Sequence, residues 1–233
     1  MYGGLGSGTV AGAPRRPVTA LRLQQLTVGP LQENCWLLAD PDSGKAVLVD
    51  PGDEAPALLA AVAATGCTLD AIWLTHAHFD HVGGVAGIIA VQPVPVWLHP
   101  ADAVLYANAA SSAARWGVVI ESPPPVDHPL AEGDVMQLGQ YRFDVWHLPG
   151  HAPGHVAFVG HGLCLSGDLL FAGSIGRTDL PLCDPTAMHQ SLMRLTTLSP
   201  ETRVCPGHGV STTIGRELTA NPFLRGAARV PGA

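Results

Sequence analysis

Thr75-His76-Ala77-His78-Phe79-Asp80-His81 places four metal-ligand-type side chains within six residues. The run follows an apolar stretch, Leu69–Thr75, that reads as a buried strand. At a strand end side chains alternate, so His76 and His78 point to the same side. The chain then turns toward Gly83-Gly84, where Asp80 and His81 can serve an adjacent position. Buried imidazoles and carboxylates need partners to offset their desolvation, so packing explains this cluster poorly. Three single candidates lie downstream, each after a strand: His151 in Leu148-Pro149-Gly150-His151, Asp168 in Ser166-Gly167-Asp168 and His208 in Pro206-Gly207-His208-Gly209. Together these seven nitrogen and oxygen donors suffice for two divalent ions sharing one carboxylate. Imidazole plus carboxylate suits zinc, iron or manganese, and zinc is the first choice.

Other residues take supporting roles. Asp50, closing the apolar run Val47–Val49, could accept the free ring N–H of a ligand histidine or simply form the turn before Pro51. His155 and His147 read as structural hydrogen-bonders, and His99, His128, His161 and His189 as surface residues. Arg177 in Gly176-Arg177-Thr178-Asp179 is a candidate substrate-orienting cation, with an ion pair to Asp179 or another carboxylate as the competing role. The five cysteines read as buried small hydrophobes.

The elements that must position these residues alternate along the chain. Strands are expected at 21–28, 35–39, 46–49, 69–75, 94–98, 135–138, 141–147, 155–159, 163–166 and 202–205. Helices are expected at 54–65 (with Asp53 as N-cap), 83–91, 101–114, 186–198 and 211–220. Residues 122–129 form a Pro-rich joint between two strand-rich halves. Hairpins followed by β/α units, twice over, imply two mixed sheets face to face with helices outside. Pro-Gly steps after strands turn the chain sharply and deliver His151 and His208, which points to a site at one end of the sheets. Residues 1–17, Gly-rich with an Arg15-Arg16 pair, read as a flexible tail, and 18–233 as one domain.

Composition excludes several classes. The chain has 233 residues, 47% hydrophobic and 13% charged, which rules out a disordered chain. Its net charge of −7 argues against nucleic-acid binding. No apolar stretch approaches the ~20 residues of a membrane span. The absence of an apolar leader and of any CxxC pair points to a cytoplasmic protein with reduced thiols. Its 11 histidines nearly equal its 12 Lys and Arg, an imbalance that a metal site would account for.

The HxHxDH run, with a later PGH, a GD and a GHG, resembles the metallo-β-lactamase superfamily over nearly all of residues 18–225. That resemblance implies a four-layer αββα sandwich. It implies one ion on His76, His78 and His151, a second on Asp80, His81 and His208, and Asp168 bridging. The stretches FAGSIGRTDLP, LPGHAPGH and NPFLR look like short bacterial glyoxalase II-type hydroxyacylglutathione hydrolases. The expected reaction is then hydrolysis of a small acyl thioester such as S-lactoylglutathione. Hydroxide, formed at neutral pH by two divalent ions, would be the nucleophile, and Asp80 would orient it as well as ligate. The expected partner is this small-molecule acyl-thiol, on a monomer or homodimer, without nucleic acid or membrane. Rival expectations on the same fold are a mononuclear iron persulfide dioxygenase using His76, His151 and Asp168, and a lactone hydrolase. A β-lactamase is disfavoured, since those zinc enzymes usually carry a cysteine where Asp168 stands.

Overall fold

The computed structural model describes residues 20–232, so the expected tail at 1–17 lies outside the described residues. Strands β1 (Arg22–Val28), β2 (Glu33–Asp40) and β3 (Lys45–Val49) form an antiparallel meander. After α1 (Ala55–Ala64) the chain enters β4 (Thr68–Trp73), parallel to β3. Two short helices follow, α2 (Phe79–Val82) and α3 (Val85–Val91), and then β5 (Val96–Leu98). A 3-10 turn (Pro100–Asp102), α4 (Ala103–Ala107) and α5 (Ala109–Arg115) lead to the edge strand β6 (His128–Pro129). The first sheet has the order β1-β2-β3-β4-β5-β6.

The second half opens with β7 (Val135–Leu138), β8 (Tyr141–His147), β9 (Val156–Gly160) and β10 (Leu163–Gly167). A small hairpin, β11 (Leu170–Phe171) and β12 (Ser174–Ile175), precedes α6 (Pro185–Leu195). The chain ends with β13 (Arg203–Pro206), β14 (Thr212–Thr213) and α7 (Ile214–Ala220). The second sheet runs β14-β13-β10-β9-β8-β7.

Strand periodicity builds the layers. In β2, Trp36 and Leu38 face the other sheet, whereas Cys35, Leu37 and Ala39 face the helices. The same split separates Val47 and Val49 from Ala46 and Leu48 in β3, and Val156 and Phe158 from Ala157 in β9. Strands buried on both faces read as continuous apolar runs, as β2 and β3 do. Between the sheets Trp73 packs edge-on to Phe143 and tilted on Phe158, with ring centroids 5.9 and 5.4 Å apart. The helix-side core of the first sheet includes Leu58, Ile72 and Ile88, and that of the second includes Met188, Leu192 and Ile214. The result is the expected αββα sandwich.

Several local expectations change. The N-cap of α1 is Glu54, in the left-handed region at φ 51°, because Asp53 Oδ1 already accepts the Glu54 N–H at 2.6 Å. The expected helix at 101–114 begins as a 3-10 turn and breaks at Asn108, whose side-chain amide bonds the Val104 carbonyl. The expected helix at 83–91 starts at Val85, and α2 before it is a separate turn carrying Asp80 and His81. The expected last helix starts at Ile214, because Thr212 and Thr213 pair with β13. The Pro-rich joint contains β6, whose Pro129 is tolerated at a sheet edge.

Candidate metal centre

All seven sequence-predicted ligand residues come together at one end of the two sheets. The loop after β4 carries His76 and His78, and α2 carries Asp80 and His81. The loop after β8 carries His151, the end of β10 carries Asp168, and the loop after β13 carries His208. Two groups form. His78 Nδ1 lies 3.1 Å from His76 Nε2 and 2.8 Å from His151 Nε2. His208 Nε2 lies 3.3 Å from Asp80 Oδ2, and these two form a second cluster with His81. Asp168 stands between them. Its Oδ2 is 3.5 Å from His151 Nε2 and 3.6 Å from His208 Nε2, and its Oδ1 is 3.4 Å from His81 Nε2.

Hydrogen bonds behind the rings aim the lone pairs. His151 Nδ1–H donates to the Arg177 carbonyl at 2.8 Å, leaving Nε2 free to bind. His81 Nδ1–H donates to Asp50 Oδ2 at 3.1 Å. Asp50 also accepts the Thr75 hydroxyl at 2.5 Å, and that hydroxyl oxygen lies 3.1 Å from His76 Nδ1. One buried carboxylate therefore orients a histidine of each group, as a supporting residue rather than a mere turn. It does so from a left-handed backbone at φ 53°.

Burial lowers His76 and His151, and lowers His78 to about 3 with His151 adding to the effect. These shifts favour the neutral rings, whose lone pairs are what a metal needs. Burial alone would raise Asp168, but His81, His151 and His208 together hold it well below the usual carboxylate range. Burial likewise opposes the charge on His81, and Asp168 and Asp50 outweigh it. His81 Nε2 and Asp168 Oδ1 are buried with no hydrogen-bond partner among the described residues. Orphaned atoms of this kind are costly, and a cation between them satisfies both. The donor set of five imidazoles and two carboxylates fits two divalent ions.

The chain belongs to the metallo-β-lactamase superfamily. The superfamily model matches residues 28–208, which span every donor just described. Among relatives, the chain is 35% identical over 214 residues to the hydroxyacylglutathione hydrolase GloC of Haemophilus influenzae, covering 88% of this chain and 98% of that one. Among solved structures, TTHA1623 in a di-iron-bound form shares 53% identity at a TM-score of 0.80, over 86% of this chain and 100% of that one. The B3 metallo-β-lactamase BLEG-1 shares 38% identity at a TM-score of 0.82, over 87% and 99%. The protein is accordingly a metallo-hydrolase of this superfamily.

Within the superfamily fold, several residues beyond the expected set hold the centre. Asp102, fully buried, accepts the Ala77 N–H at 3.0 Å and the Gly154 N–H at 2.5 Å. It thereby ties the loop bearing His76 and His78 to the loop bearing His151. Asn34 donates to the carbonyls of Pro206 (3.1 Å) and Gly209 (2.8 Å), pinning the His208 loop to β2. Glu33 lies behind His81, with Oε1 3.8 Å from Nδ1, and burial pushes its carboxyl well up. A polar Glu-Asn pair opening an otherwise apolar strand was the available signal for Glu33 and Asn34. Asp102 gave none, since its partners are backbone amides distant in sequence.

His155 is the expected structural residue, its Nε2 accepting the Asp168 N–H at 3.1 Å. His147 donates to the Pro153 carbonyl at 2.9 Å, while His128, His161 and His189 are exposed. His99 and His128 differ from plain surface residues, because His99 stacks on His147 and His128 on Trp97, at 4.1 and 4.3 Å between ring centroids. Arg177 makes the ion pair with Asp179, at 2.7 and 2.9 Å, and also lines the cavity over the centre. Cys183 departs from the buried-hydrophobe expectation. It is half-buried, and its Sγ–H donates to the His151 carbonyl at 3.0 Å.

Proposed function

We propose that the protein hydrolyses a small acyl thioester, with S-lactoylglutathione as the representative substrate. The observation carrying this reading is Asp168, whose carboxylate faces both histidine groups within 3.6 Å. Near full-length likeness to a hydroxyacylglutathione hydrolase narrows the substrate. In this reading His76, His78 and His151 would hold one divalent ion and Asp80, His81 and His208 the other, with Asp168 available to both. Zinc is the first choice, and iron is supported by the di-iron-bound TTHA1623. When bound, the ions supply ionised water at neutral pH and positive charge for a developing oxyanion.

The chain's own groups do the rest. Asp80, half-buried at the cavity floor, accepts a hydrogen bond from the attacking water and aims its lone pair at the carbonyl. A C–O bond forms, the C–S bond breaks, and the thiolate leaves and takes a proton from solvent. Phe79 and Leu31 wall the cavity on the apolar side, limiting competing water. The complete second group, Asp80, His81 and His208, favours hydrolysis over a mononuclear reaction that would leave it idle. We place the reaction in the cytoplasm, on a monomer or homodimer.

Metal quantitation of the purified protein, with parallel turnover of S-lactoylglutathione, a homoserine lactone, a β-lactam and glutathione persulfide, tests this reading. Two ions per chain and preferential thioester turnover, abolished by His78→Ala, are expected. One iron per chain with oxygen consumption on the persulfide would overturn it, as would preferential turnover of the lactone or the β-lactam.

A further inference from the structure

A cavity of about 750 Å³ runs from the metal centre to a wall made by α4 and α5. Two carboxylates, Asp80 and Asp168, line it, and so do two cations, Arg115 and Arg177. These cations differ in state. The Arg177 guanidinium is neutralised by its two-bond pairing with Asp179. The Arg115 guanidinium makes no ion pair or hydrogen bond among the described residues.

The spacing of the wall is helical. Asn108, Ser111, Ser112 and Arg115 fall at i, i+3, i+4 and i+7, so they share one face, and all four line the cavity. Asn108 donates to the Val104 carbonyl and Ser111 to the Asn108 carbonyl. Ser112 and Arg115 remain as open donors, one turn apart. Beside them the rim is apolar: Val104 is 62%, Trp116 56% and Leu182 55% exposed. The Trp116 ring links this wall to the centre. It lies 6.5 Å from the Phe79 ring, between His78 and Asp80, and 5.8 Å beneath the Arg177 guanidinium.

A ligand matched to this cavity has a reacting group for the metal-holding donors, apolar surface for the Trp116 side and an anion for Arg115. We propose that Arg115, assisted by Ser112, is an anion anchor on α5 that binds a carboxylate carried by the thiol portion of the substrate. A guanidinium accepts a carboxylate through two parallel N–H···O bonds, which gives direction as well as attraction. The pair would form at a partly enclosed rim beside an indole, where screening is weaker than on open surface. The anchor's position relative to the metals is set by α5 packing on α2, which bears Asp80 and His81. The identity of the carrier rests on the thioester reading, whereas the anion site does not.

The test uses metal-loaded protein and two thioesters with the same lactoyl group. One is carried on glutathione and the other on N-acetylcysteamine, which has no carboxylate. Binding of S-methylglutathione and of its diethyl ester is measured alongside by calorimetry. Arg115→Met is expected to lower the ratio of kcat/KM between the glutathione and N-acetylcysteamine thioesters about tenfold, ~1.4 kcal/mol, through KM. It is also expected to remove the preference for S-methylglutathione over its diester, with Arg115→Lys restoring part of both. Because both readouts are ratios, a partly folded variant does not mimic the result. An unchanged ratio and an unchanged binding preference overturn the anchor while leaving thioester hydrolysis standing. A wild-type protein inert on both thioesters that still prefers S-methylglutathione through Arg115 overturns the thioester reading and supports the anchor. A protein that shows neither turnover nor preference overturns both.

Discussion

Asp50 and Asp102 show how two carboxylates outside the ligand set organise it by different means. Asp50 acts through side chains, holding His81 directly and His76 by way of Thr75. Asp50→Ala is expected to weaken metal retention about 10- to 100-fold, the usual cost of removing such a partner, as read by chelator competition. Asp102 acts through backbone amides, and its environment is at odds with its charge. Burial pushes its carboxyl up to about 6, although the Gly154 and Ala77 amides oppose this. An unfolded chain holds the group near ~3.9. Its stabilising contribution is therefore complete below that value and lost as pH rises through about 6. In metal-free protein, Asp102→Asn exposes one amide N–H to an NH2 and is less stable than wild type. The gap in Tm between the two is expected to shrink as pH rises from 4 to 7, and a gap that widens would contradict the assignment.

At the scale of elements, close approach of loops is what converges the donors, and glycines permit it. A Cβ on Gly154 would lie 2.8 Å from both the backbone nitrogen and Oδ1 of Asp102. Gly154→Ala must push the His151 loop off its clamp, and a loss of about 1–3 kcal/mol in denaturant unfolding is expected, together with reduced metal content. Gly44, in a left-handed turn at φ 69° with nothing within 4 Å of a Cβ, is the contrast. There Ala costs only the backbone strain, about 1–2 kcal/mol, and leaves metal content unchanged. The Pro-Gly steps were legible because a turn after a strand is a local event. The break in the 101–114 helix was not, since it turns on the Asn108 side chain bonding back to the Val104 carbonyl within an Ala-rich run that otherwise reads as helix.

Across the whole molecule, the sandwich brings loops from both sheets against one another at a single end. β2 serves as the tie, for Asn34 and Trp36 both bond the Pro206 carbonyl from the opposite sheet. The centre is thus assembled only when both halves are docked. Metal binding should therefore report on global folding. Chelation is expected to lower Tm, and readdition at 100-fold above Kd to restore about 2.7 kcal/mol of stability for each ion bound. Calorimetric scans with and without chelator check this, and equal Tm values would show that the ions do not bind the folded chain in preference to the unfolded one. No helix among the described residues is long and apolar enough to cross a membrane.

The sequence by itself determined the layer architecture and the identity of the candidate donors, because both depend on short-range order. Apolar alternation sets the strand faces, and the HxHxDH run, the PGH, the GD and the GHG each carry their donors within a single turn. Spacing did not fix which donors face one another; the family resemblance implied the grouping with Asp168 between, and the tertiary structure brings the donors together in that arrangement. Tertiary structure decided that Asp102, Asn34 and Glu33 stand behind the centre and that Arg115 lines the same cavity without an ion pair among the described residues. Those relations join residues tens of positions apart through backbone amides, carbonyls and empty space. None of these leaves a periodic trace in the order of amino acids.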